Sequence, residues 1–485
     1  MAPYVRTPAV PGVALLTPEG RAVSEHGELL SLDEWPDGTR LWASYQTVYD
    51  LVRAGHGEAL CWNHEEIRWR HERFEEHWTR RASDANVVKI PFDQLDVKIA
   101  LEAFCRWRDW LGRYGASPTG TSGSAAWSLL RARLEQPLYT GGGERPPLDR
   151  TVGGRQQMGP AGKGRFEGPL VHLDLPAAYA STLAGLRYGG QWLRYRDPAA
   201  VAVQLSRYAG SDHPVFVRAK VRVPKNLLGP LVKRQRRKPR SFMESMLLGQ
   251  TYPTGTTVQG VWTWEEVAAA EDAGAKIVKL TECWIHRSGH YPFHAWWEAI
   301  QDGRKMPGLA GQLAKVTGNA LWGRFCMDAS TGVRTIRSRN GVLAARPIAG
   351  GSQAWPAHDL AETVSGRVRA RLYWLMVDAG DRLVSAHTDG AWLVGGVNEP
   401  HPESSEAVKR ETTGHAEPDP ISARMGEQGW RQSQRARRLD LLNPQRLRYW
   451  PDPPQPWEPA IVYAGMPAEH GARMFETEWV REFPA

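Results

Sequence analysis

An Asp-Gly step between two apolar runs, Leu383-Val384-Ser385-Ala386-His387-Thr388-Asp389-Gly390-Ala391-Trp392-Leu393-Val394, constrains this chain more than any other stretch. Apolar, β-prone segments meeting at Asp-Gly predict a tight hairpin, because glycine takes the positive φ that such a turn demands. The hairpin carries one acid, Asp389, at its tip. Taken alone, that acid reads as ordinary turn chemistry.

A second acid follows another apolar run. Leu170 to Leu173 predicts a strand, and Pro176 with the alanine-rich residues after it predicts a helix start, so Asp174 stands at a strand's C-terminal end. Open α/β sheets commonly hold ligands at such ends, and Tyr179 lies on the next helical turn. By itself Asp174 reads equally well as a helix cap.

Phe293 to Phe325 predicts a helical pair broken near Met306-Pro307-Gly308. In its second member Lys315, Asn319, Trp322 and Gly323 stand at i, i+4, i+7 and i+8, one face of a helix. A cation, an amide and a flat ring in one stripe suit an anionic ligand with a planar group. The same stripe also fits the solvated edge of a packed helix.

With 485 residues, 41% of them hydrophobic, the chain has room for two to four domains with substantial cores. No apolar run approaches eighteen residues and the N-terminus lacks a signal-peptide pattern, which predicts a cytoplasmic protein with no membrane segment. Cys61, Cys105, Cys283 and Cys326 are scattered singly, which argues against a zinc site or a disulfide framework. The net charge of +8, the basic run Lys233-Arg234-Gln235-Arg236-Arg237-Lys238-Pro239-Arg240 and the cluster Arg431, Arg435, Arg437 and Arg438 suit a polyanion. The 22 tryptophans add stacking surface.

Residues 1–150 read as a mixed α/β unit, with short apolar segments at Gly12–Leu16, Leu41–Ala43 and Ala59–Trp62, polar helix-like stretches over His64–Arg81 and Val97–Tyr114, and an amphipathic helix over Ser122–Leu134. The Gly/Pro cluster at 139–147 predicts a boundary. Further on the pattern gives a strand over Pro214–Val223, another over Gly260–Trp264, a capping box with Thr263 as cap and Glu266 three residues later, and a helix over Asp359–Val377. Residues 395–426 read as an exposed insertion.

Taken in order, three motifs resemble the family B DNA polymerases, particularly the small phage and plasmid members. The first palm motif of that family, Asp-x-x-Ser-Leu-Tyr-Pro-Ser, is similar to Asp174-Leu175-Pro176-Ala177-Ala178-Tyr179-Ala180-Ser181. Its fingers motif, Lys-x-x-x-Asn-Ser-x-Tyr-Gly, is similar to Lys315 through Gly323, and its Asp-Thr-Asp-Ser motif to His387-Thr388-Asp389-Gly390. The resemblance spans roughly 150–467.

The resemblance implies an α+β, right-hand polymerase fold. Palm would occupy 151–292 and 326–463, with the flexible insertion 395–426; short helical fingers 293–325; a reduced or vestigial thumb 464–485. Residues 1–150 would be a degenerate RNase H-like exonuclease domain, since the only early match to the first exonuclease motif is Thr17-Pro18-Glu19. Implied cofactors are two Mg2+ or Mn2+ ions on Asp174, Asp389 and the Leu175 carbonyl. Implied nucleotide contacts are Tyr179 under the sugar, Lys315 on the triphosphate with Arg304 or Lys305, and Asn319 and Trp322 around the nascent pair. Gly153, Gly154, Arg155, Gly323, Arg446, Arg448 and Tyr449 would grip DNA. Partners would be template and primer DNA, dNTPs, and a protein that supplies the missing grip or the priming group.

The activity so implied is template-directed DNA synthesis without 3′–5′ proofreading, in a mobile element or phage. Two other readings stay open: a non-catalytic pseudopolymerase that binds nucleic acid in an accessory or defence role, and a primase-like nucleotidyltransferase that accepts rNTPs. His387, in place of the motif's first acid, is the main departure.

Overall fold

A computed structural model describes chiefly residues 97–117, 122–134, 143–148, 153–233, 251–326, 357–395, 431–443 and 446–455, with short strands and single residues elsewhere. The chain forms two compact units, one from residues 1–135, 239–246 and 293–357, the other from 136–238, 247–292 and 358–485. Among the described residues no helix is long and apolar enough to cross a membrane.

The first unit holds a five-stranded sheet in which Leu29–Ser31, Arg21–Ser24 and Ala14–Leu16 form an antiparallel meander continued in parallel by Leu41–Ser44 and Val87–Ile90. The helix expected over His64–Arg81 is not formed: Trp62–Glu66 and Glu76–Arg80 are antiparallel strands. That stretch lacks an apolar stripe of period 3.6, and cross-strand pairing overrides the weak helix preference of its charged residues. The segment Thr17-Pro18-Glu19 lies outside the described residues, as do most of the basic run and nearly all of the insertion.

Among the described residues this unit also holds four helices: Val97–Arg113, Ser122–Arg133, His294–Arg304 and Gly308–Phe325. The last two are the expected broken pair, and Pro307 is the N-cap of the second, since its fixed φ suits a helix start. Buried tryptophans fasten the pair to the N-terminal helices. Trp107 Nε1 donates to Thr317 Oγ1 at 3.1 Å and Trp110 Nε1 to the Ala299 carbonyl at 3.2 Å.

The second unit is built on a seven-stranded antiparallel sheet. Its strands, in chain order, are β1 (Arg155–Met158), β2 (Gly164–Asp174), β3 (Leu383–Thr388), β4 (Gly390–Val394), β5 (Arg431–Asn443), β6 (Arg446–Pro451) and β7 (Ala460–Tyr463). They lie in the order β7-β6-β5-β2-β4-β3-β1. β3 and β4 are near-continuous apolar runs because both faces of the sheet are covered there. Val171, Ala386, Ala391 and Leu393 pack under Leu372 and Met376, while Leu170, Val384 and Trp392 join Leu439 and Tyr449 on the other face.

Two helices frame the sheet, α1 (Ala178–Ala184) directly after β2 and α2 (His358–Ala379) directly before β3. Beside them, a four-stranded antiparallel sheet runs in the order Gln191–Tyr195, Lys276–Arg287, Val215–Val223 and Thr256–Thr263. The capping box starts the helix Trp264–Asp272 as expected, with the Thr263 side chain accepting from the Glu266 amide.

Candidate active site

Asp174 and Asp389 are brought together by strand register. Gly390 pairs with Asp174 across the β4–β2 ladder, and the Leu175 amide donates to the Asp389 carbonyl at 3.0 Å. Adjacent strands run about 5 Å apart, so the backbones of the two half-buried acids lie on neighbouring strands one position out of register.

The backbone is strained directly before Asp389 and again three residues after Asp174. The Asp389 amide donates to the His387 carbonyl at 2.8 Å, closing a three-residue turn around Thr388 at φ 59°. This is the rare γ-turn with a positive central φ, and a β-branched residue adopts it only where its surroundings enforce it. Thr388, not Gly390, thus supplies the positive φ expected of glycine. Gly390 is required for a different reason: a Cβ there would lie 2.7 Å from the His172 ring and 2.8 Å from the Leu173 carbonyl.

The second strained residue is Ala177, φ 54°, which is the N-cap of α1 without any side-chain cap bond. Asp174 is therefore not the helix cap. Among the described residues Ala177 and Thr388 are the two non-glycine residues with positive φ, and they flank the two acids. Strain of this kind clusters at functional sites.

Two imidazoles stand with the acids. Burial lowers the His387 pKa below the ordinary histidine range, and its Nδ1 lies 2.9 Å from Thr388 Oγ1. Burial, with His387 nearby, pushes His172 down to about 4. At neutral pH both rings are uncharged, so neither repels a cation. His172, which sequence reasoning missed, lies two residues before Asp174 on the same strand; this spacing is its only signal.

Tyr179 is buried on α1 and Gly154 packs against it: a Cβ on Gly154 would strike the Tyr179 hydroxyl and stand 2.7 Å from Thr388 Cα. The Gly153 carbonyl accepts from Arg369 Nη1 at 2.9 Å. Arg369, 1% exposed on α2, also donates to Glu266 Oε1 at 2.8 Å and to Glu362 Oε1 at 2.5 Å. Burial alone would lower its pKa, but the two carboxylates outweigh it and hold the guanidinium charged.

Arg155 does not reach solvent, which corrects its expected role in gripping the duplex. Its side chain is 0% exposed, donates to the Gly229 and Pro230 carbonyls and to Gln157, and lies 4.1 Å from the Tyr252 ring and 4.7 Å from that of Tyr373. Arg448 and Tyr449 are corrected likewise. Arg448 is buried among Asp440, Glu476, Phe475 and Trp479, and Tyr449 belongs to the sheet core. The Arg446 side chain lies outside the described residues. The Leu175 carbonyl accepts from the Ala178 amide at 3.3 Å, which leaves its second lone pair.

The expected nucleotide helix belongs to the first unit. Lys315 and Asn319 are exposed and Trp322 and Gly323 half-buried on one face of Gly308–Phe325, while Ala310, Leu313, Ala314, Thr317 and Leu321 bury the other. Among the described residues nothing lies within 4 Å of a Cβ placed at Gly323. Arg304 is half-buried and Lys305 exposed at the end of the preceding helix.

No family model and no curated protein matches this sequence. The fold, by contrast, is that of the Phi29 DNA polymerase structures. Phi29 DNA polymerase complexed with primer-template DNA is 11% identical with a TM-score of 0.54, covering 95% of this chain and 93% of that one. The orthorhombic crystal form of Phi29 DNA polymerase gives 12% and 0.56, covering 95% and 90%. Its ternary complex with primer-template DNA and incoming nucleotide gives 13% and 0.54, covering 94% and 90%.

Proposed function

We propose that this chain is a template-directed DNA polymerase of the family B type, lacking 3′–5′ proofreading and belonging to a phage or mobile element. The observation that carries the reading is that register brings Asp174 opposite Gly390, next to Asp389, with a strained non-glycine residue directly before Asp389 and another three residues after Asp174. The likeness to polymerases crystallised with primer-template DNA supports it at the level of the fold.

The donor set is all oxygen and fits hard divalent cations. Among the described residues no cluster of three or more His, Cys, Asp or Glu could hold a metal, and an ion on the acid pair would need phosphate and water to complete its shell. Two Mg2+ or Mn2+ ions on Asp174, Asp389 and the Leu175 carbonyl would, when bound, activate a primer hydroxyl and neutralise the departing pyrophosphate. The chain's own residues do the rest. Tyr179 lies under the sugar and excludes a 2′-hydroxyl; Lys315 meets the triphosphate; Asn319 and Trp322 shape the pocket; Gly323 lets DNA approach the helix.

A non-catalytic binding role is the second reading, favoured by His387 in the place of a motif acid. Primer extension with Mg2+ and Mn2+, dNTPs and rNTPs, on primed and unprimed templates, separates the two. Incorporation by the wild type that Asp174→Asn abolishes upholds the polymerase; no incorporation on any template rejects it.

A further inference from the structure

We propose that Arg369 and Gly154 form a positioning device for Tyr179, so that sugar discrimination depends on a buried ion cluster that never touches the nucleotide. This rests on the polymerase reading and adds to it residues outside the three motifs.

Both neighbours of Gly154 are fixed. Arg369 holds the Gly153 carbonyl from a site clamped by Glu266 and Glu362, and the Arg155 guanidinium is buried between two tyrosine rings on the backbone carbonyls of Gly229 and Pro230. Arg155 also pairs in register with Thr388, the residue of the strained turn before Asp389. Gly154 therefore cannot retreat, and the space for a Cβ is taken by the Tyr179 hydroxyl on one side and by Thr388 on the other. The absence of a side chain at 154 sets how far the Tyr179 ring can advance. Glu266 is itself held by the capping box, its Oε2 3.0 Å from Thr263 Oγ1, and Gly366 leaves room for that threonine on α2. Rigid support behind a contacting residue is what precise discrimination demands.

The test compares rNTP with dNTP incorporation in wild type, Gly154→Ala, Arg369→Lys and Tyr179→Ala, each melted to establish folding. Lysine keeps the charge beside the two glutamates but lacks the fork that also reaches Gly153. Gly154→Ala and Arg369→Lys should each lower discrimination by about tenfold or more, and Gly154→Ala should change nothing further in the Tyr179→Ala background. Wild-type discrimination in a folded single variant, or an equal effect with and without Tyr179, overturns the proposal. Failure of both variants to fold would make the cluster structural only and overturn it too. An inactive wild type would instead sink the polymerase reading on which it rests.

Discussion

The Leu175 amide donates to the Asp389 carbonyl at 3.0 Å, one residue beyond Asp174, and this bond ties the end of one strand to the tip of the hairpin beside it. The two acids are thereby held by backbone, independently of their side chains. Asp174→Asn and Asp389→Asn should each reduce metal-dependent nucleotide incorporation by about 10³-fold, roughly 4 kcal/mol of barrier, with little loss of thermal stability. Single-turnover primer extension beside a melting curve measures both; normal rates in either variant would remove the acid pair from the chemistry.

Gly390 is fixed by sterics. Gly390→Ala should cost about 1–3 kcal/mol by overpacking against the His172 ring and the Leu173 carbonyl, and should slow incorporation through the displaced turn. Urea unfolding reads the first effect. A neutral substitution would mean that the ladder relaxes freely there.

Gly323 offers the reverse trade. With open space around a Cβ and ordinary helical φ, Gly323→Ala should stabilise the helix by about 0.5–1 kcal/mol. If its glycine serves close approach of DNA, the same variant should bind primer-template more weakly, by fluorescence anisotropy. Lys315→Ala, at an exposed position, should leave stability within about 0.5 kcal/mol and raise the KM for nucleotide.

Arg155 separates burial from phosphate contact. Arg155→Ala should lower stability by about 3 kcal/mol or more, since it empties a buried site and strands two carbonyls. The slope of DNA affinity against salt should stay at the wild-type value, whereas a lost phosphate contact would flatten it by about 0.9.

Asp440 gives a pH signature. It is 0% exposed; burial works to raise its pKa, but hydrogen bonds from Arg438, Arg165 and Arg448 outweigh it and hold the carboxyl below its ordinary value of 3.8. A folded pKa below the unfolded one means that ionised Asp440 stabilises the fold at neutral pH. That contribution is present above the unfolded value and is lost as pH falls from about 4 through the folded pKa. Wild type should therefore melt well above Asp440→Asn at pH 7, and the gap should narrow below pH 4; a constant gap would contradict this.

What the sequence determined by itself was local. The β-prone runs of the hairpin, the strand before Asp174, the broken helix at Pro307 and the Thr263–Glu266 capping box follow from propensity, from period and from side chains that bond to nearby backbone. The Lys315 face was legible because helical spacing fixes which residues share a side. Sequence also placed a glycine where one is needed after Asp389, but for the wrong reason. Only the tertiary structure decided that Thr388 bears the positive φ while Gly390 yields space to His172, that Ala177 rather than Asp174 begins the helix, and that Arg155, Arg448 and Tyr449 turn inward. An arginine has the same residue type whether it meets a phosphate or a buried carbonyl. Its role is set by which strands the register places beside it, and register is a long-range property that no local pattern encodes.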